Sequence, residues 1–312
     1  MPTNFPGGVS ANGAPLGGTP GKVFYVGNRS GLPASNGADP LHPFSTLNGA
    51  LAKCTSGRGD VVKILPGHVE SISSADQMTN LVADVTIEGV SDARGRKPIL
   101  RWTAAGSTFL LDVAGVVLKN LRLQMAGDPS SSTALSVAAP MTISAASCSI
   151  LDCEIQVGVD ADQLATAAIT TTAAADDLTI DGCVVFGAIT SEVTTVFQFV
   201  GADRLKFTNN HVMAALATDT DGLLQFATTA STNVVIKDNI LHANGVGNTV
   251  CIQMSANLVN TGWIVRNFCR NMTDASVAWI ITTGTGVDVQ LMDNYGVNNA
   301  NERGLAIGTA SA

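Results

Sequence analysis

The side chains in this 312-residue sequence best suited to acid–base chemistry are three close pairs of carboxylates: Asp160 with Asp162, Asp176 with Asp177, and Asp219 with Asp221. Two carboxyls held a few ångströms apart can divide the work of general acid and general base. All three pairs lie in stretches rich in Gly, Thr and Ala, where aspartate more commonly forms turns through its own backbone. His42, His68, His211 and His242 are too dispersed to form a metal set, so no cofactor is expected. The six cysteines, Cys54, Cys148, Cys153, Cys183, Cys251 and Cys269, show no CxxC spacing and are expected as free buried thiols.

The elements that would position these groups are set by a repeat. Short apolar runs end in an Asn, Asp or Gly marker at Asn120, Asp152, Gly182, Asn209, Asp238, Asn267 and Asp293, a mean spacing of about 29 residues. A second apolar run recurs between the markers, for example Val196–Phe199, Leu223–Phe226 and Val250–Ile252. The runs are short, rich in β-branched or aromatic residues and bounded by turn formers, so each repeat carries at least two strands. Such a repeat suits one rung of a parallel β-helix in which like residues stack. The chain is therefore expected to be all-β, a right-handed parallel β-helix of about eight to nine rungs. The residue after each marker reads Leu121, Cys153, Cys183, Asn210, Asn239, Phe268 and Asn294. Asn210, Asn239 and Asn294 can form an amide ladder or serve as turn chemistry alone.

Three parts are expected: an extended arm over 1–21, a strand, loop and capping helix over 22–60, and the β-helix over 61–312. The arm is rich in Pro and Gly, has no features of a signal peptide, and offers Pro2, Asn4, Phe5, Pro6, Pro15 and Leu16 as contacts to a sister subunit or a partner. In the cap, Ser45 stands as N-cap of a helix over Phe44–Cys54, with Phe44, Leu47 and Leu51 closing the end of the coil.

Val23–Val26, Pro43-Phe44-Ser45-Thr46-Leu47 and Gly59-Asp60-Val61-Val62 through Leu65-Pro66-Gly67-His68 resemble the opening module of pectate-lyase-like right-handed β-helix proteins, in particular those of tailed-phage virions. That resemblance implies a bacteriophage structural protein, a trimeric decoration or cement protein on the outer capsid surface. Its partners would be the major capsid protein and two sister chains, and it would be made in the host cytoplasm. The alternative it implies is a tailspike or fibre module that binds or depolymerises cell-surface polysaccharide, so a host-surface glycan is the other partner. Only 13% of residues are charged, which favours a surface partly covered by other subunits. A net charge of −8 opposes binding to nucleic acid, and no apolar run reaches the length of a membrane span. With aromatics at only 5% and expected in the core, sugar platforms are not foreseen, and the chain is expected not to be an enzyme.

Overall fold

In a computed structural model, residues 10–11, 14–15, 21–27, 36–75, 77–128, 133–160, 162–187, 192–217, 222–245, 250–254, 258–271, 280–281, 288–297 and 305–307 are described. The chain is a parallel β-solenoid with three faces, matching the right-handed parallel β-helix expected from the repeat. The first face runs in order through Val23–Val26, Val61–Ile64, Thr86–Gly89, Val117–Lys119, Ser149–Leu151, Thr179–Asp181, Lys206–Thr208, Val234–Lys237, Thr261–Val265 and Asp288–Met292. The second begins at Val69–Ile72 and reaches Asn294–Val297, against which Leu305–Ile307 lies antiparallel. The third begins only at Phe109–Leu111 and reaches Ile280–Ile281. Among the described residues about seven turns have strands on all three faces, fewer than the eight to nine expected. The first turns fall short because helix and loop stand where the third face would be.

Stacking follows from alternation. On the first face Ile87, Leu118, Ile150, Ile180, Phe207, Ile236, Ile264 and Leu291 pair in register, each pointing inward, so one apolar column runs the length of the coil. Phe197, Phe199, Phe207 and Phe226 cluster in the middle of the core, with the Phe197 and Phe207 rings edge to face at 4.9 Å.

The corner from first to second face is made by one left-handed residue per turn: Asn120, Asp152, Gly182, Asn209, Asp238, Arg266 and Asp293, with φ between 52 and 66°. The marker in the sixth copy is therefore Arg266, not Asn267, and the buried position after it is Asn267, not Phe268. Corrected by one residue, the ladder is continuous from Asn210 through Asn239 and Asn267 to Asn294. Each Oδ1 accepts from the backbone N–H of the preceding turn: Cys183, Asn210, Asn239 and Asn267, at 2.9, 2.9, 3.0 and 3.0 Å. The Nδ2 groups donate to the carbonyls of Ile180, Phe207, Ile236 and Ile264. These side chains are buried and bonded from turn to turn.

Cys153 and Cys183 hold the same column two turns earlier and remain free, as expected. The Cys153 thiol beside it, together with burial, pushes Cys183 far above the usual thiol range, which leaves it unreactive.

The cap is shorter than expected. The helix spans Leu47–Leu51 and its N-cap is Thr46, whose Oγ1 accepts from Gly49 N at 3.2 Å, so Ser45 is not the cap. Leu47 and Leu51 are fully buried, and Phe44 packs on Phe24 at 6.3 Å. Buried Glu70 accepts from Leu47 N at 3.0 Å and bonds His68 Nε2 at 2.9 Å, tying the helix to the second face. Of the arm residues, Pro2, Asn4, Phe5, Pro6 and Leu16 lie outside the described residues, and Pro15 is described only as backbone in a two-residue strand, Ala14–Pro15, paired with Ser10–Ala11.

Asp60 fastens the first turn. Its carboxylate accepts from Lys22 N and Thr55 N, each at 2.7 Å, and from Arg58 Nε and Nη2, each at 2.6 Å. Burial alone would raise its pKa, but Arg58 and the two amides outweigh it and hold the carboxyl below its ordinary value. A depressed carboxyl contributes stability above its unfolded pKa of about 3.9 and loses it as pH falls through the folded value. Asp60→Asn is therefore expected to lower the melting temperature at pH 7 and to flatten the acid limb of stability against pH. Unchanged profiles by calorimetry would contradict this account of the cap.

Candidate functional site

Of the three carboxylate pairs only Asp176 with Asp177 lies wholly among the described residues, and both of its carboxyls are engaged in structural bonds. Asp177 accepts a bidentate pair of bonds from Arg204 at 2.7 and 2.8 Å, and that guanidinium holds its carboxyl below the usual range. Asp176 Oδ1 accepts from Asp203 N at 3.1 Å, a bond to the corner of the next turn. Two turns later, at the corner from first to second face, Asp238 and Arg266 repeat the bidentate arrangement at 2.7 and 2.8 Å. The side chain of Asp160 lies outside the described residues, as do Asp219 and Asp221, while Asp162 lies in a turn.

Among the described residues the exposed aromatic side chains gather on the last turns. Trp263, on the first face, is 55% exposed; Tyr295 and Phe268, on the second, are 53% and 37% exposed. The sequence reading placed these rings in the core. Parity decides otherwise, because Ile264 and Cys269 take the inward positions beside them. Phe268 and Tyr295 are direct ladder partners, and Ile240 precedes them in the same outward column. The neighbouring outward column carries Met213, His242 and Arg270. His242 lies 5.3 Å from the His211 ring and 6.2 Å from that of Phe268. Burial first, then His211 and Arg270, hold His242 below its ordinary pKa, so it is neutral at pH 7.

Around Trp263 the corner from third to first face changes character. In earlier turns it is made by left-handed Asp84, Gly115, Ser147, Asp177, Arg204 and Asn233. In the next turn the strand Thr261–Val265 begins straight away and Gly262 absorbs the bend at φ +142°. A Cβ on Gly262 would sit 2.1 Å from the Val234 carbonyl oxygen, so only glycine fits. The result is a concavity of about 290 Å³ lined by Asn233, Val235, Thr261, Gly262, Trp263, Asp288 and Gln290. Gln290 stands beside Trp263 in register, and its Nε2 donates to Asp288 Oδ1 at 3.3 Å. An exposed indole framed by amides and one carboxylate can stack on an apolar ring face while hydrogen-bonding the groups at its edge.

Two solved structures are distantly similar to this coil. A rhamnogalacturonan lyase superposes with a TM-score of 0.38 at 11% identity, over 88% of this chain and 87% of that one. A double mutant of the periplasmic alginate epimerase AlgG superposes at 0.27 and 9% identity, over 77% of this chain and 57% of the epimerase. What they share is the fold. No protein-family description and no curated protein matches the sequence. The expectation that the chain is not an enzyme does not stand: the solved structures of similar fold are a lyase and an epimerase, a distant likeness that assigns no activity to this chain.

Proposed function

We propose that this chain recognises an extended polysaccharide across its last turns, the role carried in the sequence reading as the alternative. The observation that carries it is the outward placement of Trp263 and Phe268 on one turn and Tyr295 on the next, astride the asparagine corner, with polar side chains between them. Buried aromatics would have served the core; exposed ones at the spacing of the turns offer a ladder of flat apolar faces to a repeating ligand. A rigid sheet holds them without the ordering cost that loops would incur. The test is incubation of the folded chain with a panel of neutral and acidic polysaccharides, scoring co-sedimentation and release of new reducing ends. Retention by at least one polymer is expected, with or without cleavage. A chain that neither binds nor cleaves any member of the panel is not a polysaccharide-recognising protein.

A second reading is favoured by the aliphatic part of the second face. Val184, Met213 and Ile240 are each more than 40% exposed, on a sheet face flat enough for a protein partner. On this reading the chain is a homotrimeric virion protein resting on the capsid shell, with the arm reaching a neighbour. Light scattering that gives three copies per particle, and a fixed ratio to the major capsid protein in purified virions, are its expected results; a monomer absent from virions would exclude it.

A further inference from the structure

We infer that the Trp263 concavity is the subsite for a single neutral sugar ring, an inference that rests on the polysaccharide reading and names the class of sugar it takes. A pyranose ring has one face where C–H groups project, made slightly positive by the attached oxygens, and the face of an indole is slightly negative. Trp263, more than half exposed, is one of the side chains that line a concavity of about 290 Å³. The edge of the ring would meet groups that bond hydroxyls. Asp288 accepts, Gln290 can both donate and accept, and Asn233 is anchored through Nδ2 to Asp203 Oδ1 at 3.0 Å, which turns its amide into a fixed fixture of the rim. Thr261 Oγ1 accepts from Asn233 N at 2.9 Å and holds the two rims together.

Charge sets the class. Among the described residues that line the concavity, Asp288 is the one ionisable group, and it is acidic. Arg266, in the same turn as Trp263, is committed to Asp238 by two bonds. A uronate or sulfated sugar would bring a second negative charge against Asp288 with no cation among the described lining residues to offset it, whereas neutral vicinal hydroxyls would find an acceptor in Asp288.

The test titrates the full chain by calorimetry with cello-, manno- and maltohexaose and with hexagalacturonate, for wild type, Trp263→Ala, Trp263→Phe and Asp288→Asn. At least one neutral hexaose is expected to bind. Trp263→Ala should weaken it tenfold or more, Trp263→Phe should restore part of the loss, and Asp288→Asn should weaken it several-fold. Circular dichroism of each variant checks that the coil is intact, as the exposure of both side chains requires. Neutral binding unaffected by Trp263→Ala, or binding of hexagalacturonate in preference to every neutral hexaose, would overturn the neutral subsite and leave polysaccharide recognition standing. Failure of all four saccharides together with the wider panel would overturn both.

Discussion

Asn239→Leu is expected to destabilise the coil by about 3–5 kcal/mol, because it removes the middle of a buried chain of bonds and leaves several groups without partners at once. Asn239 Oδ1 accepts from Asn210 N at 2.9 Å and from Asn210 Nδ2 at 3.2 Å, while its Nδ2 donates to Phe207 O at 2.9 Å and to Asn267 Oδ1 at 2.8 Å. Leucine has nearly the same size and would fill the space, so the loss isolates hydrogen bonding from volume. The control sits at the exposed corner beside the ladder. Asp293→Asn keeps a residue that tolerates the left-handed conformation and is expected to change stability by no more than about 0.5 kcal/mol. Urea unfolding monitored by circular dichroism separates the two, and a change below about 1 kcal/mol for Asn239→Leu would show that the ladder is turn chemistry alone.

Phe207→Ala is the second large effect, at about 3–5 kcal/mol, from lost burial and the cavity left behind. The ring stands at 4.9 Å from Phe197 and 6.3 Å from Phe199, and every member of this cluster is fully buried. Stacked turns allow little collapse, since each strand is pinned on both sides by its ladder partners. Phe268→Ala provides the contrast: an outward ring, 37% exposed, whose loss should cost less than about 1 kcal/mol while weakening the proposed glycan surface. Equal destabilisation by the two substitutions would mean that Phe268 is covered and that the second face is not free.

Much of the fold was legible because a solenoid repeats its constraints. The column from Ile87 to Leu291 can be read from spacing alone, and Asn210, Asn239 and Asn294 announced the corner. Asn267 was displaced by one residue because the pattern Val265-Arg266-Asn267 places an amide where the turn residue was sought, and arginine is an unusual occupant of a left-handed corner. The exposed aromatics were missed for a related reason. In the run Trp263-Ile264-Val265 every residue is apolar, so alternation gives no parity; only the stacking of Ile264 between Ile236 and Leu291 turns Trp263 outward. The carboxylate pairs were conspicuous in the sequence, yet Asp176 and Asp177 are held by corner geometry and by Arg204. The concavity itself was not legible, since it depends on Gly262 bending one strand against the Val234 carbonyl.

The most direct measurement of the central claim is electrophoretic mobility of the native chain in gels containing a dissolved polysaccharide, with a variant carrying Trp263→Ala, Phe268→Ala and Tyr295→Ala run alongside. Retardation of the wild-type chain by at least one polymer, abolished in the triple variant while its circular dichroism is unchanged, is the predicted result. Equal mobility of the two proteins in every gel would contradict recognition of polysaccharide by the last turns of the coil.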